Sequence, residues 1–262
     1  MVLSKAESLD DRPTPRQRSS LELLRYLTNM GPAQIRFAKG QPMDAADVCS
    51  SMSRLRTRAV LGLAGCALFW TSLLVLGAIR PGYSHVVNAI SELGARGTPH
   101  AVLWNVFGFI IPGVLLALAG HAIGTSVRAR RAQSGGLARA LLVVFGLTIA
   151  GQGLIPAVMS NGELVTTSWS TTGHLVMSLV SGAAWLAALA LLIAPMKRSP
   201  QWRGWQVADI GAILLVIVLA FIPGRRLPGG LAQRLADAVV LGWFVAASAW
   251  LIRLEGRRGS TT

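Results

Sequence analysis

The chain has 262 residues, of which 52% are hydrophobic and only 14% charged, with a formal net charge of +14. A soluble domain of this length carries about a quarter charged residues, so the balance argues against an ordinary water-soluble fold. The positive excess does not point to nucleic acid either, because most of it sits in short connectors and tails beside apolar runs. There Lys and Arg set membrane topology and meet anionic head groups.

Residues 1–56 are polar, with Pro13, Pro15, Gly31, Pro32, Gly40 and Pro42 interrupting any regular pattern. They read as a mobile cytoplasmic segment, with one short amphipathic helix over residues 20–30. No apolar core appears within the first 30 residues, so a signal peptide is not expected. Met52, just before the basic flank of the first apolar run, is an alternative translation start. Cys49 and Cys66 lack the C-x-x-C spacing of a metal or redox site.

Six apolar runs follow, at 58–79, 101–124, 137–156, 173–194, 207–223 and 233–252. Each is near the roughly 20 residues that cross a hydrocarbon core of about 30 Å. The expectation is an all-α polytopic membrane bundle of about six transmembrane helices, spanning residues 57–253, with a cytoplasmic tail at 254–262. The fifth run is the shortest, and Trp202 and Trp205 stand before it as interfacial anchors. Orientation follows from basic residues: Arg54, Arg56 and Arg58 precede the first run, and Arg128, Arg130, Arg131 and Arg139 follow the second. Lys197, Arg198 and Arg203 lie between the fourth and fifth, and Arg253, Arg257 and Arg258 follow the sixth. The alternate connectors hold only Arg80, Arg96 and the dissenting pair Arg225 and Arg226. The positive-inside rule then places both termini in the cytoplasm of a cell-membrane protein.

The first outer connector, residues 80–100, is the most distinctive stretch. Val86, Ile90 and Leu93 recur at helical spacing, with His85, Asn88 and Glu92 on another face. This predicts a short interfacial helix over 84–93, either lying on the outer surface or forming a lid whose Ser91 and Glu92 point into the bundle. Polar residues inside the runs also gather in the outer half: Asn105, Thr148, Gln152, His174, Ser178, Ser181 and Asp237. Ionisable groups there are expensive unless paired or hydrated, which makes them functional candidates. Each also has a structural reading. Asp237 has Arg234 at i−3, and Asn105, Gln152 and the serines suit interhelical hydrogen bonds.

The strings Arg80–Tyr83 (R-P-G-Y) and Ile90–Ala95 (I-S-E-L-G-A), with Pro99, His100 and Asn105, resemble domain of unknown function family 998. Gly153–Pro156 and His174 continue the resemblance, which covers about residues 58–252. It implies a six-helix integral membrane protein and names no chemistry.

Three functions compete. The first is a membrane protein that binds a lipid or a partner in a polar pocket of the outer half, with Ser91, Asn105, Gln152 and Ser178 as ligand-binding candidates. The second is an intramembrane hydrolase or transferase acting on a lipid head group. Glu92, His100, His174 and Asp237 are its catalytic candidates, and His100 and His174 its metal-ligand candidates. No H-x-x-x-H or H-E-x-x-H spacing supports that metal site. The third, a small transporter, is disfavoured by the lack of an internal repeat. Membrane lipids are the expected partners and nucleic acid is not. No cofactor, and no reaction, can be read from a motif.

Overall fold

Apolar runs with few interior charges can satisfy their backbone groups in lipid only by coiling into helices, and six long helices form among the described residues. The computed structural model describes residues 45–127, 133–160, 163–221 and 227–259. The expected helix over 20–30, and Arg128, Arg130, Arg131, Arg225 and Arg226, lie outside the described residues. The chain divides into Met1–Ser51 and Met52–Thr262, and the second unit is the helical bundle.

Helix α1 is Ala45–Ile79, beginning well before the apolar run at 58–79. Helix α2 covers Ala101–Val127, α3 Gln133–Leu154, α4 Trp169–Arg198, α5 Trp205–Phe221 and α6 Gly229–Gly259. Among the described residues, five of the six are long and apolar enough to cross a membrane. The exception is α5, whose 17 residues span about 25 Å at 1.5 Å per residue. A two-residue ribbon joins α3 to α4, with β1 (Met159–Ser160) antiparallel to β2 (Glu163–Leu164).

The bundle is apolar outside as well as inside. Val102 and Leu179 are 74% and 75% exposed, as lipid-facing side chains should be. Its interior is aromatic: Phe145 stacks on Phe244, with centroids 5.3 Å apart, and Trp185 meets Trp243 edge-on at 6.2 Å. Apolar side chains gain little by leaving lipid for one another, so close packing through small residues holds such helices together. The crossing of α2 and α3 shows this. A Cβ on Gly113 would stand 2.4 Å from the Ala150 nitrogen, and one on Gly146 2.3 Å from the Ala117 nitrogen.

A π-helical segment, Asn105–Ile110, interrupts α2. Pro112 follows it and has no N–H to give to the preceding turn. The Ser72 hydroxyl on α1 donates to the Phe107 carbonyl at 3.3 Å, supplying a donor to that turn.

Candidate functional site

The connector from α1 to α2 is built by its own side chains. Glu92 accepts from the Ala89 N–H and from Asn88 Nδ2, both at 2.8 Å, and Asn88 Oδ1 accepts from the Ser84 N–H at 2.8 Å. Arg80 donates to the Glu92 carbonyl at 2.6 Å. The short helix expected over 84–93 is accordingly a single 3₁₀ turn, Ile90–Leu93. Side chains and α6 take the backbone groups that a longer helix would need. The Val86 and Val87 carbonyls accept from the N–H groups of Leu231 and Gly230, and the Ile90 N–H donates to Gln233 Oε1 at 2.9 Å.

Arg234 of α6 closes this clamp. Its Nη1 donates to the carbonyls of Asn88 and Gly230 at 2.8 Å each, and its Nη2 donates to the Tyr83 hydroxyl. The Tyr83 ring also lies beside both guanidinium groups, 5.4 Å from Arg80 and 5.6 Å from Arg234. Burial pushes the Tyr83 phenol above its ordinary value of 10.0, against the opposing pull of Arg234. His85 falls below its usual range, chiefly through desolvation and then through Arg234.

A cavity of about 210 Å³ adjoins the clamp. Its walls are mostly apolar, with Phe109, Phe145 and Trp185 among them, and Ile90 and Gln233 shared with the clamp region. Its polar lining is Gln152 from α3, Ser178, Ser181 and Trp185 Nε1 (without a partner among the described residues) from α4, and Gln233 and Asp237 from α6. Gln152 and Ser181 are 7% and 6% exposed, and neither side chain makes a hydrogen bond among the described residues. Asp237 also lacks one there, and Arg234 commits both terminal nitrogens to the connector and Gly230 instead of to Asp237. Ser178 and Gly182 line the cavity while facing the outside of the bundle.

The sequence candidates therefore divide. Gln152, Ser178 and Asp237 share the cavity, and Ser91, Glu92, Asn105, His100 and His174 do not line it. Glu92 caps its own connector. Asn105 donates to the Gly94 carbonyl at 2.9 Å, a packing so close that a Cβ on Gly94 would stand 2.2 Å from Asn105 Oδ1. His100 is exposed at the N-terminus of α2, with φ of 62°. His174 is buried, its Nδ1 lying 3.1 Å from the Gln152 carbonyl and 3.2 Å from that of Ile155. Pro156 has no N–H for the Gln152 carbonyl, and this imidazole supplies the missing donor. Among the described residues no group of three or more His, Cys, Asp or Glu side chains is placed to hold a metal ion.

Sequence reasoning passed over Gln233, the bonds of Arg234 and Tyr83 across the clamp, and Asp209. Asp209 is fully buried near the start of α5, where Oδ1 accepts from Trp243 Nε1 at 2.8 Å and Oδ2 has no partner. A lone carboxylate one turn into an apolar run was the available signal.

Apolar helices with lipid-facing surfaces around this core define a multi-pass membrane protein. The chain belongs to the DUF998 family of proteins of unknown function, whose profile matches residues 63–250. No curated protein and no solved structure matches the chain.

Proposed function

We propose that the protein binds an amphiphile drawn from the membrane, holding its polar end in the cavity among α2, α3, α4 and α6. The observation that carries this reading is the pair Gln152 and Ser181. Both are more than nine-tenths buried and line the cavity without a hydrogen-bond partner among the described residues. Buried polar groups are nearly always bonded, and one left bare costs about 1–3 kcal/mol, so an incoming polar group would be stabilised there. Ser178 and Gly182, exposed on α4, give the cavity a side toward lipid. At about 210 Å³ it is smaller than the roughly 300–1,000 Å³ of a typical small-molecule pocket and suits one portion of a lipid.

Arg54, Arg56, Arg58, Lys197, Arg198, Arg203 and Arg253 favour a cell-membrane orientation with both termini in the cytoplasm and the clamp outside. An intramembrane hydrolase or transferase draws less support. His174 is taken up by two carbonyls and Glu92 by its connector, His100 lies exposed at the start of α2, and Asp237 has no imidazole partner among the described residues.

Gly182→Leu tests the reading. A Cβ at Gly182 meets nothing within 4 Å, so the larger side chain should narrow the cavity mouth without disturbing the fold. Lipid retained through extensive detergent exchange, identified by mass spectrometry, should fall in this variant while thermal stability holds. Retention equal to that of the parent protein would refute cavity binding.

A further inference from the structure

The chemistry of the cavity's polar end narrows the ligand class, granted that the cavity binds an amphiphile as proposed above. Among the described residues no Lys, Arg or His lines it, and the one ionisable lining group there is the Asp237 carboxyl. A phosphate or sulfate head would meet the Asp237 carboxyl with no cation in the described lining to hold it, which low-dielectric surroundings penalise heavily.

A cationic head fits poorly for a different reason. Arg234, one turn earlier on α6, already acts electrostatically on the Asp237 carboxyl. Adding a buried ammonium would leave one charge uncompensated. What the lining lacks is neutral hydrogen-bond partners. Asp237 offers acceptors. The Gln152 amide offers both donors and an acceptor. Gln233, whose Oε1 already accepts from the Ile90 N–H, has its amide N–H groups left to donate.

We propose that the ligand is an uncharged amphiphile whose polar end carries a hydroxyl group, donating to Asp237 and accepting from a glutamine amide. A hydroxyl is the smallest neutral group that does both at once. The apolar wall of Phe69, Phe109 and Phe145 then receives the adjoining hydrocarbon.

The test uses the full chain in phosphatidylcholine nanodiscs and four twelve-carbon probes: the alcohol, its methyl ether, the amine and the phosphate. Native mass spectrometry reads the bound fraction of each. The alcohol should bind at least about tenfold tighter than each of the others, as expected for one additional buried hydrogen bond. Asp237→Ala should bring the alcohol down to the level of the ether, leaving ether binding within roughly threefold. An ether as tight as the alcohol, a tighter amine or phosphate, or an alcohol preference surviving Asp237→Ala overturns the hydroxyl assignment. If the probes bind in a manner sensitive to Gly182→Leu but without that preference, only the hydroxyl assignment fails. If none binds, or Gly182→Leu changes nothing, the cavity reading fails with it.

Discussion

Two polar regions adjoin in this bundle and treat hydrogen bonding in opposite ways. In the clamp, Tyr83, Asn88, Glu92 and Arg234 direct donors and acceptors at one another, and of the Arg234 nitrogens only Nε is left without a partner among the described residues. In the cavity, Gln152, Ser181 and Asp237 stand within the same bundle with no side-chain hydrogen bond among the described residues. Ile90 and Gln233 belong to both, since the bond between them joins the connector to α6 and both line the cavity. A saturated network fixes structure, whereas bare groups in low-dielectric surroundings are costly until something fills them. The most distinctive string in the sequence, Ile90–Ala95, therefore does architectural work, and the cavity that adjoins it is lined by residues from scattered positions.

The largest effect should come from opening the clamp. Arg234→Met keeps much of the side-chain length but removes the donors to Asn88, Gly230 and Tyr83. Charge-assisted hydrogen bonds contribute about 1.5–3 kcal/mol each, and stranded acceptors add to the loss, although bonds inside membranes average nearer 0.6 kcal/mol. A net destabilisation of about 3 kcal/mol is expected in reversible unfolding by a denaturing detergent. A change below about 1 kcal/mol would mean that the clamp is a surface feature, and the contrast with the cavity would fall.

A smaller effect should appear in alkali. The folded protein raises the Tyr83 phenol above 10.0, burial outweighing Arg234. The unfolded chain therefore loses that proton first as pH rises. The stabilisation is fully present below the unfolded value and is lost as pH climbs through the folded one, where the phenolate can no longer donate to the Ala89 carbonyl. The difference in melting temperature between the parent protein and Tyr83→Phe should be constant at neutral pH and narrow above about pH 10. A gap that widens there would reverse the sign of the argument.

The fold was legible because each long apolar run encodes a helix on its own, and all six runs are helical. The fifth stood out as the shortest, and among the described residues it is the one long apolar helix below spanning length. The clamp was less legible. Val86, Ile90 and Leu93 have helical periodicity, but the N–H groups of Ala89 and Ile90 go to Glu92 and to Gln233, the latter 143 residues away. No local pattern announces a partner so distant. His174 illustrates the opposite difficulty. As a residue type it suggested catalysis or metal binding, whereas its position fits the carbonyl that Pro156 leaves bare, a role visible only once α3 and α4 are side by side. Gln152, Ser178 and Asp237 were found because polar groups in apolar runs are rare. Gln233 was missed because it stands among ordinary polar residues at a helix start.

The smallest effect is also the sharpest test of the difference between the two regions. The Gln152 side chain is buried, yet its amide bonds to nothing among the described residues, while its backbone carbonyl accepts from His174. Replacing it with Leu preserves that carbonyl and nearly preserves volume, and leaves no protein partner stranded. Removing a buried polar group without stranding a partner is neutral or stabilising. Gln152→Leu should therefore leave unfolding within about 0.5 kcal/mol of the parent or raise it slightly. His174→Phe, at the other end of the same contact, should cost about 1–2 kcal/mol by exposing two carbonyls to an apolar ring. Under the cavity reading, Gln152→Leu should still reduce retained lipid, separating binding from stability in a single substitution. A loss above about 1 kcal/mol would show that the amide is bonded within the folded protein, and the cavity would then be as saturated as the clamp.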